Sequence, residues 1–111
     1  MSEATIEGVR LCFYTRVRTR HDGMLLSEWL LQLARREGLG GGSVFRASAG
    51  FGRHGVLHEE TFFELTDDLP VKVEFLLSPA QAEALLAQAR EAGVDAVYAT
   101  STIRLGMLGA S

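Results

Sequence analysis

Apolar and polar positions alternate over residues 9–15, with Val9, Leu11 and Phe13 on one side and Arg10, Cys12 and Tyr14 on the other. A period of two predicts a strand, and here its second side is only partly polar. Arg16 to Gly23 reads as a loop. The period then changes. Leu26, Trp29, Leu30, Leu33 and Ala34 recur at the spacing of one helical face, with Asp22 ahead of them as the expected N-cap. Met24, Leu25 and Leu31 make this helix greasier than a monomer requires. Arg35 and Arg36 suit the negative end of a helix, and Gly38 is the expected left-handed stop.

Gly40-Gly41-Gly42 turns the chain, and residues 43–49 read as a second strand. Thr61 to Leu65 predicts a short strand and Thr66 to Pro70 a turn. Val71, Val73, Phe75 and Leu77 then alternate against Lys72, Glu74 and Leu76. Ser78-Pro79-Ala80-Gln81 is a capping box with proline at the first helical position. The helix it starts turns Ala82, Leu85, Leu86 and Ala89 inward and ends at Gly93. Residues 96–105 form a last strand, and a frayed tail is expected from Gly106.

The predicted order is β-α-β-(β)-β-α-β, an α+β chain. Two helices on one face of an antiparallel sheet make a ferredoxin-like split βαβ sandwich. A single domain over 1–111 is expected, with a core at about 8–105 and flexible tails. The uncovered sheet face would carry Cys12, Tyr14 and Tyr98, which predicts burial by another subunit in a closed homo-oligomer.

Composition narrows the function. Apolar residues make up 47% and charged residues 23%, a globular balance that argues against wholesale disorder. A net charge of −3 disfavours a general nucleic-acid binder. Arginine accounts for nearly all the basic residues, and Arg16, Arg18 and Arg20 crowd one short segment. One cysteine, Cys12, excludes an internal disulfide framework and reads as an inert core thiol. No apolar run approaches a membrane span and no signal peptide is evident, so a cytoplasmic location is expected.

The chemistry concentrates between Phe45 and His58, where an alternating strand becomes a basic loop punctuated by Gly50, Gly52 and Gly55. Glycine amides can form a small anion nest, with Arg46 or Arg53 adding charge. The stretch is neither a Walker A sequence nor a dinucleotide fingerprint. A hairpin whose glycines merely permit the bend is the competing reading. His54 and His58, with His21 and Glu59 or Glu60, could ligate a transition metal, although loop spacing does not fix their geometry. Asp67 and Asp68 belong to a turn. No nucleophile, base and orienting group can be assembled, so a non-enzyme is expected.

Several segments together resemble one family. They are His21-Asp22-Gly23, Leu33-Ala34-Arg35-Arg36-Glu37-Gly38-Leu39, Ser43-Val44-Phe45-Arg46 leading to Gly50-Phe51-Gly52, Leu57-His58, and Asp68 to Phe75. The family is the uncharacterised PII-like group known as DUF190, related to PII nitrogen-regulatory signalling proteins. The resemblance covers residues 8–103. It implies ferredoxin-like subunits in a homotrimer and an adenine nucleotide, such as AMP or ADP, as effector in the clefts between subunits. It also implies a loop between the second and third strands that signals occupancy to a partner. Some members are encoded beside fluoride channels, which points to a membrane transporter or channel. Arg46, Gly50, Gly52 and His58 match the family pattern, and Phe51 lies between the two glycines. Arg53 and Arg104 join the candidate ligand-binding set on charge and position. Two features depart from better-known PII proteins. Glu91-Ala92-Gly93-Val94-Asp95 lacks a basic, glycine-rich phosphate loop, and the loop from Gly50 to Glu60 is short and has no tyrosine. A divalent-metal-binding trimer like the cation tolerance proteins is the alternative function, ahead of a plain interaction module or a small enzyme.

Overall fold

A computed structural model describes residues 4–51, 57–59 and 68–109. The expected strand at Thr61–Leu65 therefore lies outside the described residues, as does most of the turn after it. Among the described residues there are eight strands and two helices: β1 (Thr5–Arg16), β2 (Arg20–His21), β3 (Met24–Leu25), α1 (Leu26–Arg36), β4 (Gly42–Arg46), β5 (Ala49–Phe51), β6 (Leu57–Glu59), β7 (Pro70–Leu77), α2 (Pro79–Glu91) and β8 (Val97–Gly106). The main sheet has the order β4-β7-β1-β8 and every pairing in it is antiparallel. That is the split βαβ order: each helix carries the chain past one intervening strand.

Both helices lie on the same sheet face. Leu11, Phe13, Val73, Phe75 and Leu77 point up from β1 and β7. They meet Leu26, Leu30, Leu33 and Ala34 of α1, and Ala82, Leu85, Leu86 and Ala89 of α2. Phe13 and Phe75 pack edge to face with ring centroids 6.3 Å apart. Among the described residues, no polar or charged side chain is buried. Nor is any helix among them long and apolar enough to cross a membrane.

Local signals explain where the helices stop. At the end of α1, Gly38 N–H donates to the Arg35 carbonyl and Leu39 N–H to the Ala34 carbonyl. Gly93 and Val94 repeat the pattern after α2, on the carbonyls of Arg90 and Ala89. This Schellman geometry needs positive φ at both glycines, 75° and 78°, and it turns Leu39 and Val94 back onto the core. The Glu91–Asp95 connection is thus a helix stop.

The capping box of α2 is complete. Ser78 Oγ accepts from Gln81 N–H at 3.1 Å, and Gln81 Oε1 accepts from Ser78 N–H at 2.9 Å. Ser78→Ala is expected to cost about 1 kcal/mol, lowering Tm by about 5 °C in a thermal melt. An unchanged melt would mean that solvent replaces the cap without loss.

Three expectations are corrected. Asp22 does not cap α1. It sits at φ 55° and Gly23 at φ 84°, forming the turn of a β2–β3 hairpin in which His21 pairs with Met24. The first amide of α1, on Leu26, donates instead to the Thr19 carbonyl at 2.8 Å. The strand expected over 43–49 ends at Arg46, and the chain re-enters a separate two-stranded ribbon at Ala49. Tyr98 does not share a face with Cys12 and Tyr14. Its register partner is Phe13, so it points to the helix side, and Val97 lies opposite Tyr14. A strand shifted by one residue exchanges its faces, and single-sequence alternation does not set that register.

Candidate functional site

The uncovered sheet face and one end of the sheet hold the remaining chemistry. On the face, the partners in register are Tyr14 with Lys72 and Val97, Cys12 with Glu74 and Ala99, and Arg10 with Leu76 and Ser101. Phe45 joins them from β4, opposite Lys72. Tyr14, Phe45, Leu76 and Val97 are each nearly half exposed, at 45–49%. At the centre, the Glu74 carboxylate lies 3.7 Å from Arg10 Nε, 3.4 Å from Lys72 Nζ and 3.8 Å from Cys12 Sγ. Lys72 Nζ also stands 4.9 Å from the Phe45 ring centroid. Burial and the adjacent Glu74 charge both push the Cys12 thiol up from its ordinary value. The thiol is therefore neutral and poorly nucleophilic, as the sequence suggested.

The end of the sheet is organised around Pro70. Arg46, the last residue of β4, is in register with Val71, and Ala47 N–H donates to the Pro70 carbonyl at 2.9 Å. The chain then enters the β5–β6 ribbon, where Gly50 lies opposite His58 and Phe51 opposite Leu57. A Cβ at Gly50 would lie 3.4 Å from Pro70 Cγ, so the glycine backbone rests against the proline ring. Arg16 flanks Pro70 on the other side as its register partner in β1. Arg16 Nε is 3.5 Å from Asp68 Oδ2, and Arg18 N–H donates to Asp68 Oδ1 at 3.1 Å.

Of the candidate ligand-binding residues, Arg46 ends β4 of the main sheet, and Gly50, Phe51 and the backbone of His58 lie in the β5–β6 ribbon that follows it, with Gly50 against Pro70. Gly52 and Arg53 lie outside the described residues, as does His54. Arg104 is elsewhere. It lies on β8, the far edge strand, opposite Glu7 of β1. Thr15, in the row of Val71 and Arg46, is eight residues from Glu7, which puts Arg104 ~27 Å along the sheet and ~14 Å across it. Within one protomer Arg104 and Arg46 cannot touch one small ligand. His21, named above as a metal-ligand candidate, packs edge-on against Trp29 at 4.6 Å between centroids. Among the described residues, no three His, Cys, Asp or Glu side chains converge as a metal site would require.

Sequence reasoning missed Arg16 and Asp68, whose adjacency follows from strand pairing alone. It also missed the β2–β3 hairpin, for which Asp22-Gly23 was an available signal. Chemically, the Pro70 end offers planar guanidinium forks and glycine backbone, a set suited to a phosphate or carboxylate.

Comparison with known proteins agrees with this architecture. Residues 8–105 match the family DUF190, described as Uncharacterized ACR, COG1993. A UPF0166 protein of Aquifex aeolicus (strain VF5) is 35% identical over 66 residues, which is 60% of this chain and 63% of that protein. A UPF0166 protein of Methanocaldococcus jannaschii is 33% identical over 64 residues, 58% of either chain. The matches thus span about three fifths of the length of these curated relatives. Among solved structures, CPII of Thiomonas intermedia K12 superposes with a TM-score of 0.70 at 18% identity. The match covers 96% of this chain and 94% of CPII, a nitrogen regulatory PII-like protein bound to ADP, AMP and bicarbonate. At that identity the likeness shows the fold, which is PII-like.

Proposed function

This chain belongs to the DUF190 family, and on that premise we propose that it is a cytoplasmic, non-enzymatic PII-like sensor that assembles as a homotrimer. Its effector is an adenine nucleotide, AMP or ADP, held in the cleft between subunits; no other cofactor is needed. The observation that carries this reading is the gathering of Arg46, Gly50 and His58 at the base of one ribbon beside Pro70. Arg46 and Arg53 supply charge, while Gly50, Phe51 and Gly52 supply backbone that a phosphate can approach closely. Arg104 fits only as the contribution of a neighbouring subunit, because its own protomer holds it far from Arg46. ADP and AMP bound to CPII support the choice of nucleotide.

Assembly has two physical supports. Among the described residues, no helix lies over the half-apolar face around Leu76. The outer edge of β8 carries ten residues with no strand beyond it among the described residues, a template for pairing with another chain. Occupancy would order the 50–60 loop toward one conformation, and a transporter or channel that prefers that conformation would read it.

Isothermal titration with AMP, ADP, ATP and cyclic AMP tests the reading. At least one is expected to give saturable heat, and at a hundredfold excess over its Kd to stabilise the fold by about 2.7 kcal/mol. No heat and no shift in Tm with any of the four would overturn it.

A further inference from the structure

The arginine-rich turn after β1 remains without a role, although it lies against the proposed site. Arg16 and Gly50 flank the same proline ring, Arg16 by strand register and Gly50 by direct approach. At this point the chain already holds an anion of its own. The Asp68 carboxylate is shared between the Arg16 guanidinium and the Arg18 amide, one oxygen to each. A guanidinium fork and a backbone N–H on one carboxylate are the donors a phosphate group also takes.

We infer that Arg16 and the Arg18 amide form a phosphate subsite in which Asp68 is the resident, displaceable anion. Three observations support displacement. The ion pair is long, 3.5 Å, and half of the Arg16 side chain is open to solvent, so water and salt screen it and it is cheaply broken. A phosphate carries more charge than a carboxylate and offers more acceptor oxygens to the same donors. The turn also keeps its shape without the carboxylate, because Val17 N–H donates to the Leu69 carbonyl and Thr19 N–H to the Arg16 carbonyl. Arg20 is engaged elsewhere, its guanidinium donating to the Gly23 carbonyl of the β2–β3 turn at 2.7 Å. The inference rests on the nucleotide reading only for the identity of the molecule that delivers the phosphate.

Asp68→Asn separates the roles of this side chain. The amide oxygen can still accept from Arg18 N–H, but the negative charge beside Arg16 is gone. Calorimetric titration of the full chain with inorganic pyrophosphate and with ADP is expected to show about five- to tenfold tighter binding of both to Asp68→Asn. Arg16→Gln is expected to weaken both about tenfold, with Arg16→Lys recovering part of the loss. The double variant Asp68→Asn/Arg16→Gln should gain less over Arg16→Gln than Asp68→Asn gains over the parent, because competition for the guanidinium is then absent. Thermal melts confirm that each variant is folded.

If the parent binds ADP and the folded variants bind it equally well, this subsite is wrong while the nucleotide reading stands. If pyrophosphate responds as stated but no nucleotide binds, the subsite stands and the nucleotide reading falls. If the parent binds neither pyrophosphate nor any of the four nucleotides, both are wrong.

Discussion

Leu76→Asp is expected to yield a folded monomer that has lost nucleotide affinity. Leu76 lies on the uncovered face of β7, 46% exposed and in register with Arg10. Its side chain takes no part in the core, so a carboxylate there leaves the protomer intact. In an assembled interface the same carboxylate meets apolar surface and loses its water. An uncompensated charge in such a place costs about 3–5 kcal/mol, so association should weaken ~100-fold or more. If the proposed nucleotide cleft lies between subunits, it disappears with the interface. Sedimentation velocity at micromolar concentration, with calorimetry on the same sample, gives both readouts. An assembled Leu76→Asp protein that still binds nucleotide would show that the contact between subunits lies elsewhere.

One residue earlier, the expected outcome is of the opposite kind. Phe75 is fully buried on the helix side, in edge-to-face contact with Phe13. Phe75→Ala opens a cavity at the centre of the sheet, beneath both helices. Such truncations cost about 3–5 kcal/mol, a large share of the roughly 5–15 kcal/mol that holds a domain of this size together. Tm should fall by about 15–25 °C. In urea the midpoint should drop with little change in slope, because the surface exposed on unfolding is nearly the same. A loss below about 1 kcal/mol would mean that the core collapses around the gap, and the packing described above would be wrong. Phe75 and Leu76 are chain neighbours, yet one should decide whether the protomer folds and the other whether it assembles.

Much of this architecture was legible because its causes are local. Val71, Val73, Phe75 and Leu77 alternate, and they form the buried row of β7. Ser78 and Gln81 close a box within one turn of backbone, whatever the rest of the chain does. Gly38 and Gly93 end their helices for a reason confined to a few neighbouring residues. The uncovered second face of β1 was equally visible, since a strand with Cys12 and Tyr14 on its far side advertises surface in need of cover.

What failed depended on distance or on competition. Asp22 reads equally well as a helix cap or as the first residue of a tight turn, and pairing of Arg20 with Leu25 selects the turn. Tyr98 was assigned to the wrong face because alternation gives the two sides of a strand without saying which side meets the helices. Arg104 was grouped with the glycine loop by charge, and within one protomer the order β4-β7-β1-β8 places it at the opposite corner. Arg16 and Asp68, far apart along the chain, meet only because β1 and β7 run antiparallel with Arg16 opposite Pro70.

The main strands, the ends of both helices and the start of α2 follow from residues within one turn or one pleat of each other, where propensity and capping act without tertiary help. Which face a strand turns inward, and which charges share one end of the sheet, follow from register. Register is settled only when distant strands pair and bury their apolar rows together, so the grouping of Arg16, Arg46, Gly50 and Asp68 at one end of the sheet belongs to the tertiary structure alone.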